Sequence, residues 1–164
     1  MSDSSLERNV DKLVEDLLRA LEISGGDAYS SRVELESLFE KVILLPSGQF
    51  VRIGFDLSML IGVSGDWQMA YKLALKLEES NKSVNLELLK VWQLRCLVEL
   101  ERFSEALAIV RAQNWADRSQ IHVNYLAGLA FRSLGMHQEA KTRFDAVNRK
   151  NPNYRDIALK LNQD

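Results

Sequence analysis

Cysteine, histidine and proline are all scarce here: 164 residues contain one cysteine, two histidines and two prolines. A single cysteine excludes an intrachain disulfide. Cys96 falls beside Leu97 on an apolar helical face, where a buried structural thiol is expected rather than a reactive one. With only Cys96, His122 and His137 to draw on, neither a zinc-binding spacing nor a Cys–His or Ser–His–Asp set can be assembled. The carboxylates are scattered over helix surfaces, where solvation accounts for them. No Gly-x-Gly-x-x-Gly or phosphate-loop pattern occurs; Gly25-Gly26 follows a helical stretch, and no lysine stands at the required spacing. These absences argue against an enzyme and imply no metal and no cofactor. Also missing is any apolar run near the about 20 residues of a membrane span, and MSDSSLERNVDK has no apolar signal core. The expectation is therefore no membrane insertion and a cytoplasmic location. Net charge is -2 and the pI is about 5.8, so a bulk nucleic-acid binder is not expected.

What is present is a helix-former's composition. The chain is 46% apolar and 27% charged, and two prolines and eight glycines leave few breaks. Charge is uneven: residues 1–50 carry 5 basic and 10 acidic groups, the remainder 16 and 13. Such a division can steer a partner, although surface solubility explains it as well.

Two capping boxes, Ser4-x-x-Glu7 and Ser31-x-x-Glu34, open helices at the N-terminal end, because each side chain satisfies a free backbone N–H. Leu6, Val10, Leu13, Val14, Leu17, Leu18 and Leu21 make one apolar stripe, which ends at Ser24-Gly25-Gly26. Leu35, Leu38, Phe39, Val42 and Ile43 make the next, before Pro46-Ser47-Gly48. The stripe within residues 4–23 has three open roles: covering the following helices, pairing with itself in a homodimer, or lying in a groove.

From Val51 onward the chain repeats. Ile121 to Tyr154 reads as helix, turn, helix and proline stop. Gly128 and Ala140 supply small residues where the two helices must touch, Phe131 and Phe144 flank them, Gly135 marks the turn and Pro152 the end. Ala106 precedes Ala140 by 34 residues, and Leu100 to Ala106 aligns with Leu134 to Ala140. Ala70 precedes Ala106 by 36, with the extra length placed at Asn81 to Asn85, and Gly65-Asp66-Trp67 aligns with Gly135-Met136-His137. Leu57 and Ser58 fill the positions of Ala127 and Gly128. Leu94 replaces the small residue in the middle repeat, which should space its helices slightly further apart. Val110 and Ala74 stand where Phe144 stands. Asp117-x-x-Gln120 is expected to cap the helix after Asn114-Trp115-Ala116. Asn153-x-x-Asp156 is expected to cap a last short helix. Trp67, Trp92 and Trp115 read as packing residues.

This pattern resembles the tetratricopeptide repeat, whose 34-residue signature places Leu-Gly-x2-Tyr, Ala-x3-Phe and Pro at these spacings. Ala127-Gly128-x2-Phe131, Ala140-x3-Phe144 and Pro152 carry the likeness; Asn124 and Ala127 depart from its Trp and Leu. The resemblance implies an all-α, right-handed solenoid of helical hairpins. Residues 1–50 would be a divergent N-terminal helical cap, and 51–154 three repeats (51–86, 87–120 and 121–154). Residues 155–164 would be a C-terminal capping helix, of the kind that hides the last apolar face of an array.

The resemblance also implies a function. First helices of tetratricopeptide pairs line a concave groove that holds a peptide or a partner helix. The groove positions here are Arg52, Phe55 and Met59, then Arg95 and Glu99, then His122, Tyr125, Leu129 and Arg132, while Val63, Leu88 and Val91, also at groove positions, are expected rather to pack in the core. Arginine and aromatic residues suit such a surface because they bury area and still hydrogen-bond. The positions that clamp a chaperone-tail carboxylate are Phe55, Met59, Trp92, His122 and Leu126 here, a set without the needed donors. The expected function is non-catalytic: an adaptor or scaffold that binds a protein or peptide partner. The alternative is a small secretion-type chaperone that sequesters a client and dimerises through its N-terminal helix.

Overall fold

The computed structural model describes residues 12, 37, 40–42, 44–45, 47–80 and 85–162, with backbone alone at 47–49 and 52. The expected helix and dimer surface within 4–23, both N-terminal capping boxes and the Arg52 side chain lie outside the described residues. All regular structure among the described residues is helical. The elements are α1 (Ser47–Val63), α2 (Trp67–Ser80), α3 (Leu86–Glu99), α4 (Phe103–Ala112), α5 (Asp117–Ser133), α6 (His137–Lys150) and α7 (Ile157–Leu161). They fall into two compact units, Met1–Val84 and Asn85–Asp164.

The first unit holds the α1–α2 hairpin. Leu57, Ile61, Leu73, Ala74 and Leu77, on these two helices, are wholly or almost wholly buried. Gly54 lets them approach: a Cβ there would stand 2.9 Å from Leu77 Cδ2. Ser58, also buried, donates its hydroxyl to the Ala70 carbonyl at 2.7 Å. Asp66 starts α2, its carboxylate accepting the Met69 N–H at 3.0 Å.

In the second unit, α3 packs on both α4 and α5, α4 also packs on α5, and α6 packs on α5 and α7. Asn85 caps α3, its side chain accepting the Leu88 N–H at 3.1 Å. The α5–α6 interface is built on the smallest residue available. A Cβ on Gly128 would come within 2.5 Å of Phe144 Cε1, and the Phe144 ring is fully buried against that bare backbone. Ala127, Ala130 and Ala140 keep the rest of the contact close.

The three hairpins turn in the same way. After α1, Gly65 N–H donates to the Gly62 carbonyl at 2.9 Å and Asp66 N–H to Ile61 at 3.2 Å. After α3, Glu101 donates to Val98 at 3.1 Å and Arg102 to Leu97 at 2.9 Å; after α5, Gly135 donates to Arg132 and Met136 to Phe131, both at 2.9 Å. Each pair is a Schellman closure, which satisfies carbonyls left open at a helix end and needs one left-handed residue. That residue is Gly65 (φ 109), Glu101 (φ 58) and Gly135 (φ 75). Ala70, Ala106 and Ala140 follow at identical places and are completely buried.

Two helix starts differ from expectation. Asp117 is the first residue of α5, not its cap; Ala116 holds the cap position without a side-chain bond. The last helix begins at Ile157 behind Asp156, not at an Asn153 cap. Instead, the Asn153 N–H donates to the Asn151 side chain at 3.0 Å, and the Asp156 carboxylate is engaged across the fold by Tyr125.

Candidate functional site

In the first unit, α1 carries Phe55 half-buried and Met59 40% exposed, four residues apart and so on one side of the helix. Val63 extends this side and is exposed, not packed in the core as expected.

In the second unit the neighbouring helices α3 and α5 carry the remaining positions. Leu88, expected in the core, is instead 52% exposed, while Val91 and Leu129 are half-buried. Arg95 and Glu99 are one turn apart and paired, Arg95 Nε donating to Glu99 Oε1 at 2.8 Å. The pair holds the guanidinium extended along α3 at a partly exposed place, so it shapes the surface more than it stabilises the fold. At the start of the two helices, Ser119 of α5 donates its hydroxyl to the Glu87 carboxylate of α3, and Arg118 stands 3.9 Å from the same carboxylate.

His122, Tyr125 and Arg132 are brought together on α5, but against the chain's own C-terminal segment. His122 Nδ1 is 2.6 Å from the Tyr154 hydroxyl, with the two rings edge to face. Tyr125 is only 6% exposed, and its hydroxyl donates to Asp156 Oδ1 at 2.5 Å. Its ring meets Tyr154 and Phe144 edge to face, and the Arg155 guanidinium lies 5.2 Å above it. Arg132 lies 4.7 Å over the Phe144 ring and donates to the Lys160 carbonyl. Ile157 is fully buried beneath these contacts. Tyr125 and Arg132 thus make contacts inside the molecule at positions expected to face a groove.

Electrostatics follow from that docking. Burial, with the adjacent Asp156 carboxylate, pushes the Tyr125 phenol up to about 12. The hydrogen bond from Tyr125 holds Asp156 below the usual carboxylate value. Burial, and secondarily the Arg155 charge, lowers His122. Elsewhere, burial raises the Cys96 thiol to about 12, which keeps it protonated and a poor nucleophile at neutral pH.

The segment Tyr154 to Lys160 was not among the sequence-derived site residues. Part of it was accessible from the period: Ile157 lies 34 residues after Val123, which lies 34 after Leu89, and all three are buried. The partners Tyr154 and Asp156 carry no such signal, because their contacts span 32 and 31 residues and follow no single repeat step. Among the described residues no group of three His, Cys, Asp or Glu side chains could hold a metal ion, and no helix is long and apolar enough to cross a membrane. Comparison with family models, with curated proteins and with solved structures returned no match.

Proposed function

We propose that this protein is a tetratricopeptide-like helical repeat whose function is non-catalytic recognition of a protein or peptide partner. The observation that carries the reading is the side-by-side packing of α3 and α5, with Leu88, Val91, Arg95, Glu99 and Leu129 left wholly or partly exposed on those helices. Such a mixture of aliphatic surface and oriented arginine suits a partner helix or extended peptide that buries apolar side chains while offering a carboxylate or carbonyl to Arg95. In-phase recurrence of the same closed turn supports a repeat array, and the right-handed solenoid with its concave groove is part of the proposal.

Site-specific photo-crosslinking tests the reading. A photoreactive residue at Leu88 or Glu99 should trap the same partner in cells, whereas one at Lys141, exposed on α6, should trap none. Equal trapping at Lys141 would move the binding surface off α3 and α5.

A further inference from the structure

We propose that the surface of α5 formed by His122, Tyr125 and Arg132 is a docking site for a partner segment carrying Tyr-x-Asp-Ile chemistry, and that Tyr154 to Lys160 occupies it until such a partner arrives. The inference rests on the recognition role proposed above and names the partner's chemistry at one end of that surface.

The seated segment shows what the surface selects. His122 meets a phenol at 2.6 Å, Tyr125 donates to a carboxylate at 2.5 Å, and a buried branched aliphatic side chain follows directly at Ile157. The third contact, from Arg132, goes to the Lys160 main-chain carbonyl, which any segment can offer. Two side-chain preferences, one apolar anchor and one backbone contact are the ingredients of peptide recognition. A passive cover for apolar surface needs only Ile157. The Tyr125 hydroxyl adds a chemical demand: it is held in a largely buried place, where losing its acceptor is costly. A partner carboxylate satisfies that demand as well as Asp156 does. The Arg132 guanidinium at the site, on α5 itself, favours an acidic segment.

The resident segment is also lightly held. Its helix has five residues and no side-chain cap. Arg155 sits in the left-handed region at φ 48, which an L side chain rarely adopts. Asn153, Arg155, Ala158 and Leu159 are exposed, Leu159 at 64%, and Ile157 is the one fully buried residue between Asn153 and Asn162.

Two measurements on the full chain test this. Native-state hydrogen exchange should show the amides of residues 157–161 opening at least a hundredfold more often than those of Leu126 to Phe131; equal protection would make the segment a fixed part of the fold and overturn the proposal. A labelled peptide with Tyr-x-Asp-Ile on a serine and glycine background should bind the Ile157→Ser chain at least tenfold more tightly than wild type. It should lose at least tenfold when its aspartate is replaced by asparagine. Equal binding to both chains, or indifference to that replacement, would overturn the proposal, and Asp156→Ala, which loosens the resident segment while leaving the α5 surface intact, supplies the same comparison should Ile157→Ser fail to fold. A partner trapped at Leu88 and Glu99 with no preference for the peptide would leave the recognition role standing and remove this inference. Selective peptide binding with no partner trapped at those positions would do the reverse.

Discussion

Gly128 and Ser58 occupy the same place in two different hairpins, yet they make different interfaces. At Gly128 the absent side chain is filled by the Phe144 ring, so Gly128→Ala puts a carbon 2.5 Å from Cε1 of a ring with no room to move. Overpacking of this kind costs about 1–3 kcal/mol, and the better helix propensity of alanine returns up to about 1. Urea denaturation should therefore show Gly128→Ala destabilised by about 1–2 kcal/mol, and Phe144→Leu in the same chain should recover part of the loss. No loss would mean that the two helices separate freely. At Ser58 the close approach is fixed by a hydrogen bond, 2.7 Å to the Ala70 carbonyl. Ser58→Ala should cost about 0.5–1.5 kcal/mol, the usual net worth of a buried hydrogen bond, and an unchanged denaturation midpoint would count against it. That both places need a small residue was legible from the 34- and 36-residue spacings. Whether the space is filled by a ring or bridged by a hydroxyl was not, because that depends on the facing side chain, Phe144 in one case and Ala74 in the other.

The helical hairpin is the element that repeats, and its turn is the most regular part of it. Gly65 and Gly135 take the left-handed residue without strain, whereas Glu101 takes it at φ 58 with a Cβ. The strain in a non-glycine residue is about 1–2 kcal/mol, set against the greater chain entropy of glycine when unfolded. Glu101→Gly should raise stability by about 0.5–1 kcal/mol, read as a higher thermal or urea midpoint; a fall would show that the Glu101 side chain holds the turn in some other way. The turn positions were legible in the aligned Leu100 to Ala106 and Leu134 to Ala140. Helix starts were less so. Asp117 and Asn153 look like caps, but Asp117 enters α5 itself, and α7 is placed by Ile157 and by the Tyr125–Asp156 bond rather than by a local cap.

At the scale of the molecule, the Tyr154 to Lys160 segment ties the end of the chain to α5 through groups that titrate, and its attachment should depend on pH in both directions. His122 and Asp156 both have lowered values when docked. Each therefore contributes fully above its ordinary value and loses its contribution as pH falls, His122 from about 6.5 downward and Asp156 below about 3.8. Tyr125 is raised from 10.0 to about 12, so its contribution is lost as pH rises through that interval. The Ile157 δ1-methyl NMR signal should report a docked plateau between about 6.5 and 10, with release on either side. A signal insensitive to pH from 7 down to 5 would remove His122 from the attachment.

Helical content, the phase of the repeat and the places of the turns were determined by the sequence alone, because each depends on residues close together: apolar spacing of three or four along a helix, and turn bonds closed within six residues, as at Phe131 to Met136. Tertiary structure alone decided which surface is already occupied. Tyr125 stands at a position that the resemblance assigns to a groove, yet it is buried by residues 29 to 32 places further on, Tyr154 to Ile157. Periodicity says which side of a helix a residue is on. What covers that side is set by the free energy of bringing distant segments together, and here that balance placed a phenol, a carboxylate and an isoleucine against α5.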